Sequence, residues 1–112
     1  MWRDDAYLLD MLLAARKILE FTQDSTWQGF RDDELTQNAV MHQIQIIGEA
    51  ASKVSAQFQQ DHSQIPWHGI IGMRNRLVHE YFHIIPKRIW DVVDRDIPGL
   101  IQGLEPLVPP EE

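Results

Sequence analysis

The chain contains no cysteine and no long apolar run. Without cysteine it cannot form a disulfide, a thiolate metal site or a cysteine nucleophile. No stretch approaches the roughly 18 uninterrupted apolar residues of a membrane-spanning helix. The first ten residues carry acids where a secretion signal needs bases, so we expect neither membrane insertion nor export and place the protein in the cytoplasm.

Alternation of polar and apolar residues, which predicts strands, is also missing, and helical spacing dominates instead. With 112 residues, 44% of them hydrophobic, the chain suffices for one domain, 1–112, with a single modest core. We predict an all-α, up-and-down bundle of four main helices. Their expected ranges are 4–22, about 32 to 59, 66 to 82 or 83, and 86 to about 104.

Three segments are expected to interrupt or end this pattern. Residues 21–30 are polar and contain a glycine, which predicts a loop whose Trp27 and Phe30 fold back onto the core. Pro98 and Gly99 are expected to kink or interrupt the fourth helix. The tail from about residue 106 is expected to fray.

The net charge of −7 argues against nucleic acid as a partner. The segment 68–88 differs, because it contains four basic residues and only one acidic residue. The fourth helix also starts irregularly, because Ile85 is a poor N-cap and Lys87 and Arg88 lie at the positive end of the helix dipole. Such violations concentrate at functional sites. We predict that Lys87 and Arg88, with Arg76 and His68, bind RNA or an acidic partner; the alternative is a set of solvated surface cations.

The third predicted helix carries the most informative pattern. Its buried arc is expected to comprise Trp67, Ile70, Ile71, Met73, Leu77, Val78, Tyr81 and Phe82. Arg74 falls in the middle of that arc, and a guanidinium is very costly to bury unpaired. The Arg74 guanidinium must therefore either be paired with an opposite charge or line a cleft. The neighbouring stripe is polar and consists of His68, Gly72, Asn75 and His79.

Two motifs overlap at His79 and predict different chemistries. One is Arg74, four residues, His79, one residue, Tyr81; the other is His79-Glu80-x-x-His83, which matches the zinc-hydrolase pattern H-E-x-x-H. A zinc site needs both histidines on a sustained helix and a third protein ligand. Because His83 lies just before Pro86, where the helix is ending, we favour the first motif and expect no metal site.

The first motif lies in the string GMRNRLVHEYF, which resembles the HEPN superfamily of small helical bundles and, within it, the HepT-like toxins. Their pattern, R-N-x-L-V-H-x-Y, is matched by Arg74, Asn75, Leu77, Val78, His79 and Tyr81. The resemblance extends through ELTQNAVMHQIQIIGEAA in the second helix, PW before the motif and IWDVVDRDIP after it. It therefore covers most of the chain.

The resemblance implies a metal-independent endoribonuclease toxin that needs no cofactor and works as a homodimer, with the motifs of both subunits meeting in one cleft. The residue types suit this chemistry. Arg74 can clamp a phosphate bidentately, and His79 can transfer protons near neutral pH, which would leave a 2′,3′-cyclic phosphate on the RNA. Asn75, four residues before His79, could orient the imidazole or contact the phosphate.

In HepT-like systems the tyrosine that matches Tyr81 accepts AMP from a cognate MntA-like nucleotidyltransferase antitoxin. The resemblance thus implies that AMP transfer to Tyr81 neutralises the toxin. The competing interpretation is a non-catalytic HEPN-like dimer in which Arg74 and His79 hold an interface or a nucleotide. Whether His42 and Glu49 of the second helix line the cleft is left open by the sequence.

Overall fold

The computed structural model describes residues 2–110, and within this range the regular elements are all helical. The predicted all-α fold is confirmed. The α-helices are α1 (Trp2–Thr22), α2 (Trp27–Arg31), α3 (Glu34–Lys53), α4 (Ala56–Asp61), α5 (Trp67–His79), α6 (Pro86–Asp91) and α7 (Ile97–Leu104). Two 3-10 turns cover Tyr81–His83 and Glu105–Leu107, and a π-helical segment covers Val92–Asp96.

The long helix α3 lies at the centre of the bundle, with α1 on one side and α5 on the other, and α7 packs against α1. Its apolar stripe is fully buried and comprises Val40, Ile44, Ile47 and Ala51. From α1, Leu8, Met11, Ala15 and Ile18 face this stripe at helical spacing and are completely inaccessible to solvent. The predicted bundle of four main helices therefore forms around α3, with the fourth made of α6, the π-helical segment and α7.

The second predicted helix is shorter than expected, because α3 ends at Lys53 rather than near residue 59. Val54 is extended, and the Ser55 hydroxyl then caps α4 by accepting from the Phe58 amide. The buried carboxylate of Asp4 in α1 accepts hydrogen bonds from the Ser55 amide at 2.9 Å and from its hydroxyl at 2.7 Å. This anchor and the serine cap stabilise the break, which helical periodicity alone does not reveal.

The predicted loop at 21–30 contains the short helix α2, so that expectation was wrong in part. The Thr26 side chain caps α2 by accepting from the Gly29 amide at 3.2 Å. Phe30 is 1% exposed and packs 5.2 Å from the ring of Trp90, and Trp27 lies half-buried against the core. The two aromatic residues do fold back onto the core as predicted.

The fourth helix is interrupted, but by the π-helical segment Val92–Asp96 that precedes Pro98 rather than by a break at Pro98 and Gly99. A proline near a helix start is tolerated because its missing N–H needs no partner there. The tail packs further than expected, since Leu107 and Val108 lie against the core, while residues 111 and 112 fall outside the described range. Among residues 2–110, no helix is both long and apolar enough to span a membrane.

Candidate functional site

The motif-bearing helix α5 ends at His79, three or four residues earlier than predicted. Glu80 leaves the helical conformation, at φ −127° and ψ 30°, and Tyr81–His83 forms a separate 3-10 turn. His79 and His83 therefore do not share a continuous helix, and the pair lacks the geometry that an H-E-x-x-H zinc site requires. Residues 2–110 contain no cluster of three potential metal ligands.

The early end of α5 changes which of its apolar residues are buried. Trp67 and Leu77 are buried, at 5% and 0% exposed. At the other end, Val78 is 49%, Tyr81 38% and Phe82 91% exposed, so their predicted burial was wrong. Tyr81 and Phe82 lie beyond His79, where the chain no longer follows the helical spacing that placed them on the buried arc. Val78 is still helical, but it lines a solvent-filled cleft.

Arg74 lies at a close approach of α5 to α3. A Cβ atom added to Gly48 of α3 would overlap Cβ of Arg74 and lie 2.7 Å from its Cγ and 3.2 Å from the Ile70 carbonyl oxygen. Only glycine permits this approach, because any other residue would push the two helices apart. Gly48 thus allows the Arg74 stem to cross α3 and its guanidinium to emerge beyond it.

The guanidinium of Arg74 is paired and also accessible. Its Nη2 donates to Glu49 Oε2 at 2.8 Å, and its Nη1 donates to Asn75 Oδ1 at 3.0 Å. The side chain is 33% exposed, and Glu49 has a second cation, Lys53, at 3.4 Å. The sequence left two alternatives for Arg74, and both are true: its guanidinium has an acidic partner, and it lines a cleft.

The cleft of Arg74 lies among α1, α3 and α5 and has a volume of about 300 Å³. Its polar lining comprises Tyr7, Asp10, His42, Gln45, Glu49, Lys53 and Arg74, with Val78 at the C-terminal end of α5. His42 and Glu49, which the sequence left open, both face this cleft. Two cations, two carboxylates and an imidazole thus share one solvent-filled space, in which the Arg74 guanidinium suits an anion such as a phosphodiester.

His79 and Tyr81 lie at the end of the motif, next to this cleft rather than in it. The His79 imidazole is exposed and makes no hydrogen bond or ion pair with residues 2–110. The Tyr81 hydroxyl donates to Asn38 Oδ1 of α3 at 2.8 Å and faces a second pocket of about 460 Å³. Arg74 and Tyr81 therefore open into different pockets.

The predicted binding cations lie around the motif with varied partners. Arg76 pairs with Glu80 at 3.3 Å, and Lys87 pairs with Asp91 at 3.2 Å while its Nζ lies 5.2 Å from the centre of the Trp27 ring. Arg88 is exposed and pairs with no described residue. Ile85 provides no side-chain cap, as predicted.

His68 lies apart from the other predicted site residues. It is near the start of α5 and lines a separate pocket with residues of α4. Eleven residues of helix separate it from His79, or about 16 Å. Its predicted role in RNA or partner binding therefore involves a different surface from the Arg74 cleft.

Three residues of α3 belong to the site although the sequence did not assign them to it. Asn38 holds Tyr81, Glu49 holds Arg74, and His42 shares the cleft. The signal that could have found them is their spacing: with Gln45 they form one polar stripe on a helix whose other face is apolar. A polar stripe alone is ordinarily a solvated face, so only the packing of α5 identifies it.

Comparison with known proteins identifies the family of the chain. Residues 11–107 match the family described as "Ribonuclease HepT-like". The chain is 38% identical over 101 residues to a Thermococcus cleftensis protein named "Probable ribonuclease HepT". The aligned region covers 90% of this chain and 92% of that protein. It is 36% identical over 103 residues to a Methanocaldococcus jannaschii protein named "Putative RNase MJ0127", covering 92% and 85%. No solved structure matches significantly. The chain belongs to the ribonuclease HepT-like family.

Proposed function

We propose that this protein is a metal-independent endoribonuclease that acts as a homodimer and serves as the toxin of a toxin–antitoxin pair. The observation that carries the proposal is the accessibility of Arg74: its guanidinium lines a solvent-filled cleft. Five residues further along the helix, about 1.4 turns, the His79 imidazole has no partner among residues 2–110. The names of the relatives, which refer to RNase, support the same substrate class.

The arrangement supplies the groups that RNA cleavage needs. Attack by a ribose 2′-hydroxyl on the adjacent phosphorus requires a base, an acid for the leaving 5′-oxygen, and positive charge for the phosphoryl oxygens. Arg74 stabilises the phosphoryl charge, His79 transfers protons, and Asn75 holds the guanidinium through its side-chain oxygen. A phosphate that enters the cleft takes the place of the Glu49 carboxylate on Arg74.

An exposed apolar patch supports the homodimer. Val78, Tyr81, Phe82 and Ile85 are all more than a third exposed, and Phe82 is almost fully so. Large apolar side chains grouped on a surface favour an interface, and this patch adjoins the motif itself. A two-fold axis through it would bring two copies of His79 and Arg74 together, which supplies a second imidazole.

Tyr81 is suited to accept AMP from a nucleotidyltransferase antitoxin. Its hydroxyl lies at the edge of a 460 Å³ pocket, and the residue is 38% exposed. Because this pocket is distinct from the Arg74 cleft of the same subunit, an attached AMP would block RNA through the dimer, where the patch around Tyr81 meets the partner's cleft. The added phosphate charge and bulk there oppose RNA binding.

The decisive experiment incubates the purified protein with single-stranded RNA in EDTA. We expect fragments that end in 2′,3′-cyclic phosphate from the wild type, and none from His79→Ala or Arg74→Ala with unchanged circular dichroism. Intact RNA together with tight binding of a nucleotide or protein partner would instead support the non-catalytic dimer and refute the nuclease.

A second experiment addresses neutralisation. Co-expression with a cognate nucleotidyltransferase should add the mass of one or more AMP units and abolish RNA cleavage. Tyr81→Phe, which keeps the ring and loses only the hydroxyl, should show no mass gain and should stay active in the presence of the partner. A modified Tyr81→Phe protein would exclude Tyr81 as the acceptor.

A further inference from the structure

One polar stripe of α3 runs along the whole motif. It consists of Asn38, His42, Gln45 and Glu49, at spacings of four, three and four, which place them on one face of the helix. Asn38 binds the Tyr81 hydroxyl at 2.8 Å, and Glu49 binds the Arg74 guanidinium at 2.8 Å. Because the earlier residue of α3 contacts the later residue of the motif, the two segments run in opposite directions.

His42 lies between these two contacts. Along α3 it is about 6 Å from Asn38 and about 10 Å from Glu49, as judged from the helical rise. In the antiparallel arrangement this level corresponds to the end of α5, and His42 indeed shares the Arg74 cleft with Val78, the residue before His79. The neighbours of His42 on the stripe each hold a motif residue, whereas the His42 imidazole is exposed and has no partner among residues 2–110.

We propose that His42 is a second proton-transfer residue for RNA cleavage, contributed by α3 to the Arg74 cleft of its own subunit; this rests on the proposed ribonuclease function. One imidazole takes the proton of the 2′-hydroxyl as the 2′-oxygen bonds to phosphorus. The other, protonated, gives its proton to the 5′-oxygen as the P–O5′ bond breaks. The products are a 2′,3′-cyclic phosphate and a 5′-hydroxyl, and exchange with water restores both imidazoles.

This assignment solves a problem that the motif alone leaves to the dimer. A single histidine cannot be acid and base in the same step, and His79 does not itself line the Arg74 cleft. With His42, one subunit offers an imidazole inside the Arg74 cleft, in addition to His79 next to that cleft.

The groups that surround His42 in the cleft come from three helices. Tyr7 and Asp10 face it from α1, Glu49 and Lys53 from its own helix, and Arg74 from α5. The two carboxylates and the two cations balance in charge, and Glu49 is engaged by both cations. A change in the pH–rate profile of a His42 variant is therefore to be read against a Lys53→Gln profile, in which this balance is altered but His42 and Arg74 are both kept.

The test measures RNA cleavage in EDTA over a range of about pH 5 to 9 for His42→Ala and His42→Gln. The matched control is His83→Gln, since His83 is equally exposed, lies outside the cleft and also lacks a described partner. We expect kcat to fall about 100-fold or more with little change in KM. One limb of the bell-shaped profile should disappear, and added imidazole should restore part of the His42→Ala rate.

Three outcomes overturn the proposal. His42 variants that cleave RNA as fast as His83→Gln exclude a chemical role. A uniform fall in rate at every pH, with no rescue by imidazole, means that His42 only shapes or binds. A wild-type protein that leaves RNA intact refutes the ribonuclease function itself, whereas loss of activity in His79→Ala with full activity in His42→Ala refutes only the role of His42.

Discussion

Trp67 and Phe82 are large aromatic residues at opposite ends of the same motif-bearing segment, and the fold treats them in opposite ways. Trp67 is 5% exposed, donates from Nε1 to the His62 carbonyl at 3.0 Å and meets the Phe58 ring edge-on. Phe82 is 91% exposed, and its ring meets the neighbouring Tyr81 ring edge-on. The first end is sealed against the bundle and holds the subunit together.

The second end, made of Arg74 and the segment from Val78 to Phe82, is open. Its apolar residues are all more than a third exposed, and Arg74 and Tyr81 face solvent-filled pockets. An almost fully exposed phenylalanine such as Phe82 does not stabilise the folded chain by itself. We therefore expect RNA, a second copy and the antitoxin to bind at the open end. The predictions below compare the two ends directly.

The largest effect is expected for Trp67→Ala, which removes the anchor of the sealed end. The free energy of unfolding in urea should fall by about 3–5 kcal/mol, because the substitution leaves a cavity and frees the His62 carbonyl. Phe82→Ala should change it by less than about 0.5 kcal/mol at low protein concentration.

The matched pair also tests the dimer. If Phe82 lies in a subunit interface, the stability difference between Phe82→Ala and the wild type should grow with protein concentration, because association stabilises only the wild type. Light scattering should then find a dimer for the wild type and a monomer for Phe82→Ala. A large, concentration-independent loss in Phe82→Ala would contradict the division into sealed and open ends.

The second prediction concerns the point where the two ends meet. Gly48→Ala should destabilise the protein by about 1–3 kcal/mol, because its methyl group would overlap the Arg74 stem near the backbone, where little can move. Displaced Arg74 should also lose Glu49, so RNA cleavage should fall in parallel. The control is Gly72→Ala on α5, whose added methyl meets nothing within 4 Å and should stabilise by about 0.5–1 kcal/mol.

The sequence predicted the sealed end well and the open end only in part. Trp67 and Leu77 were placed on the buried arc by periodicity, which works wherever burial follows a continuous helix. It failed for Tyr81 and Phe82, because the backbone leaves the helical conformation at Glu80 without a sequence signal. It failed for Val78 because that residue, although helical, lines the Arg74 cleft. The motif was recognised as a string of residue types, which needs no helix boundaries to be correct.

The partners of the motif were beyond the sequence for a different reason. Glu49 and Asn38 lie 25 and 43 residues from the motif residues that they bind, and such long-range pairs depend on how α3 and α5 approach each other. That approach is set by Gly48, whose role appears only once the neighbouring helix is in place. Likewise, the break after Lys53 depends on Asp4, half the chain away in sequence.

The third prediction compares a carboxylate of the sealed core with one of the open cleft. Burial acts to raise the pKa of Asp4, but hydrogen bonds from the Ser55 amide and hydroxyl lower that pKa below its ordinary value. Because its pKa is lowered in the folded state, Asp4 stabilises the fold at pH values above its unfolded-state pKa of about 3.9. This contribution is lost as the pH falls through the folded-state pKa.

Asp4→Asn should therefore cost about 1–2 kcal/mol at neutral pH and should flatten the acid limb of a stability–pH curve measured with urea. Glu49→Gln is the comparison, since Glu49 is 48% exposed and its ion pairs should contribute less than about 1 kcal/mol to folding. An equal stability loss in the two variants, or an unchanged acid limb in Asp4→Asn, would contradict the assignment of Asp4 as a structural anchor.

The smallest effect is expected at the rim of the open end, for Lys87→Ala combined with Arg88→Ala. Both cations are exposed, and Lys87 is already paired with Asp91. The free energy of RNA binding should therefore weaken by less than about 1 kcal/mol, which is about a fivefold loss of affinity or less. The sharper measurement is the salt dependence of binding, made in a His79→Ala background, which we expect not to cleave RNA. Loss of two phosphate contacts should reduce the slope of log Kd against log salt by about 1.4.

The control replaces two exposed cations on α1. Arg16→Ala combined with Lys17→Ala should leave the slope unchanged. An identical slope in both double variants would mean that the cations at the start of α6 do not touch RNA, and the open end would then bind it through Arg74 and its cleft alone.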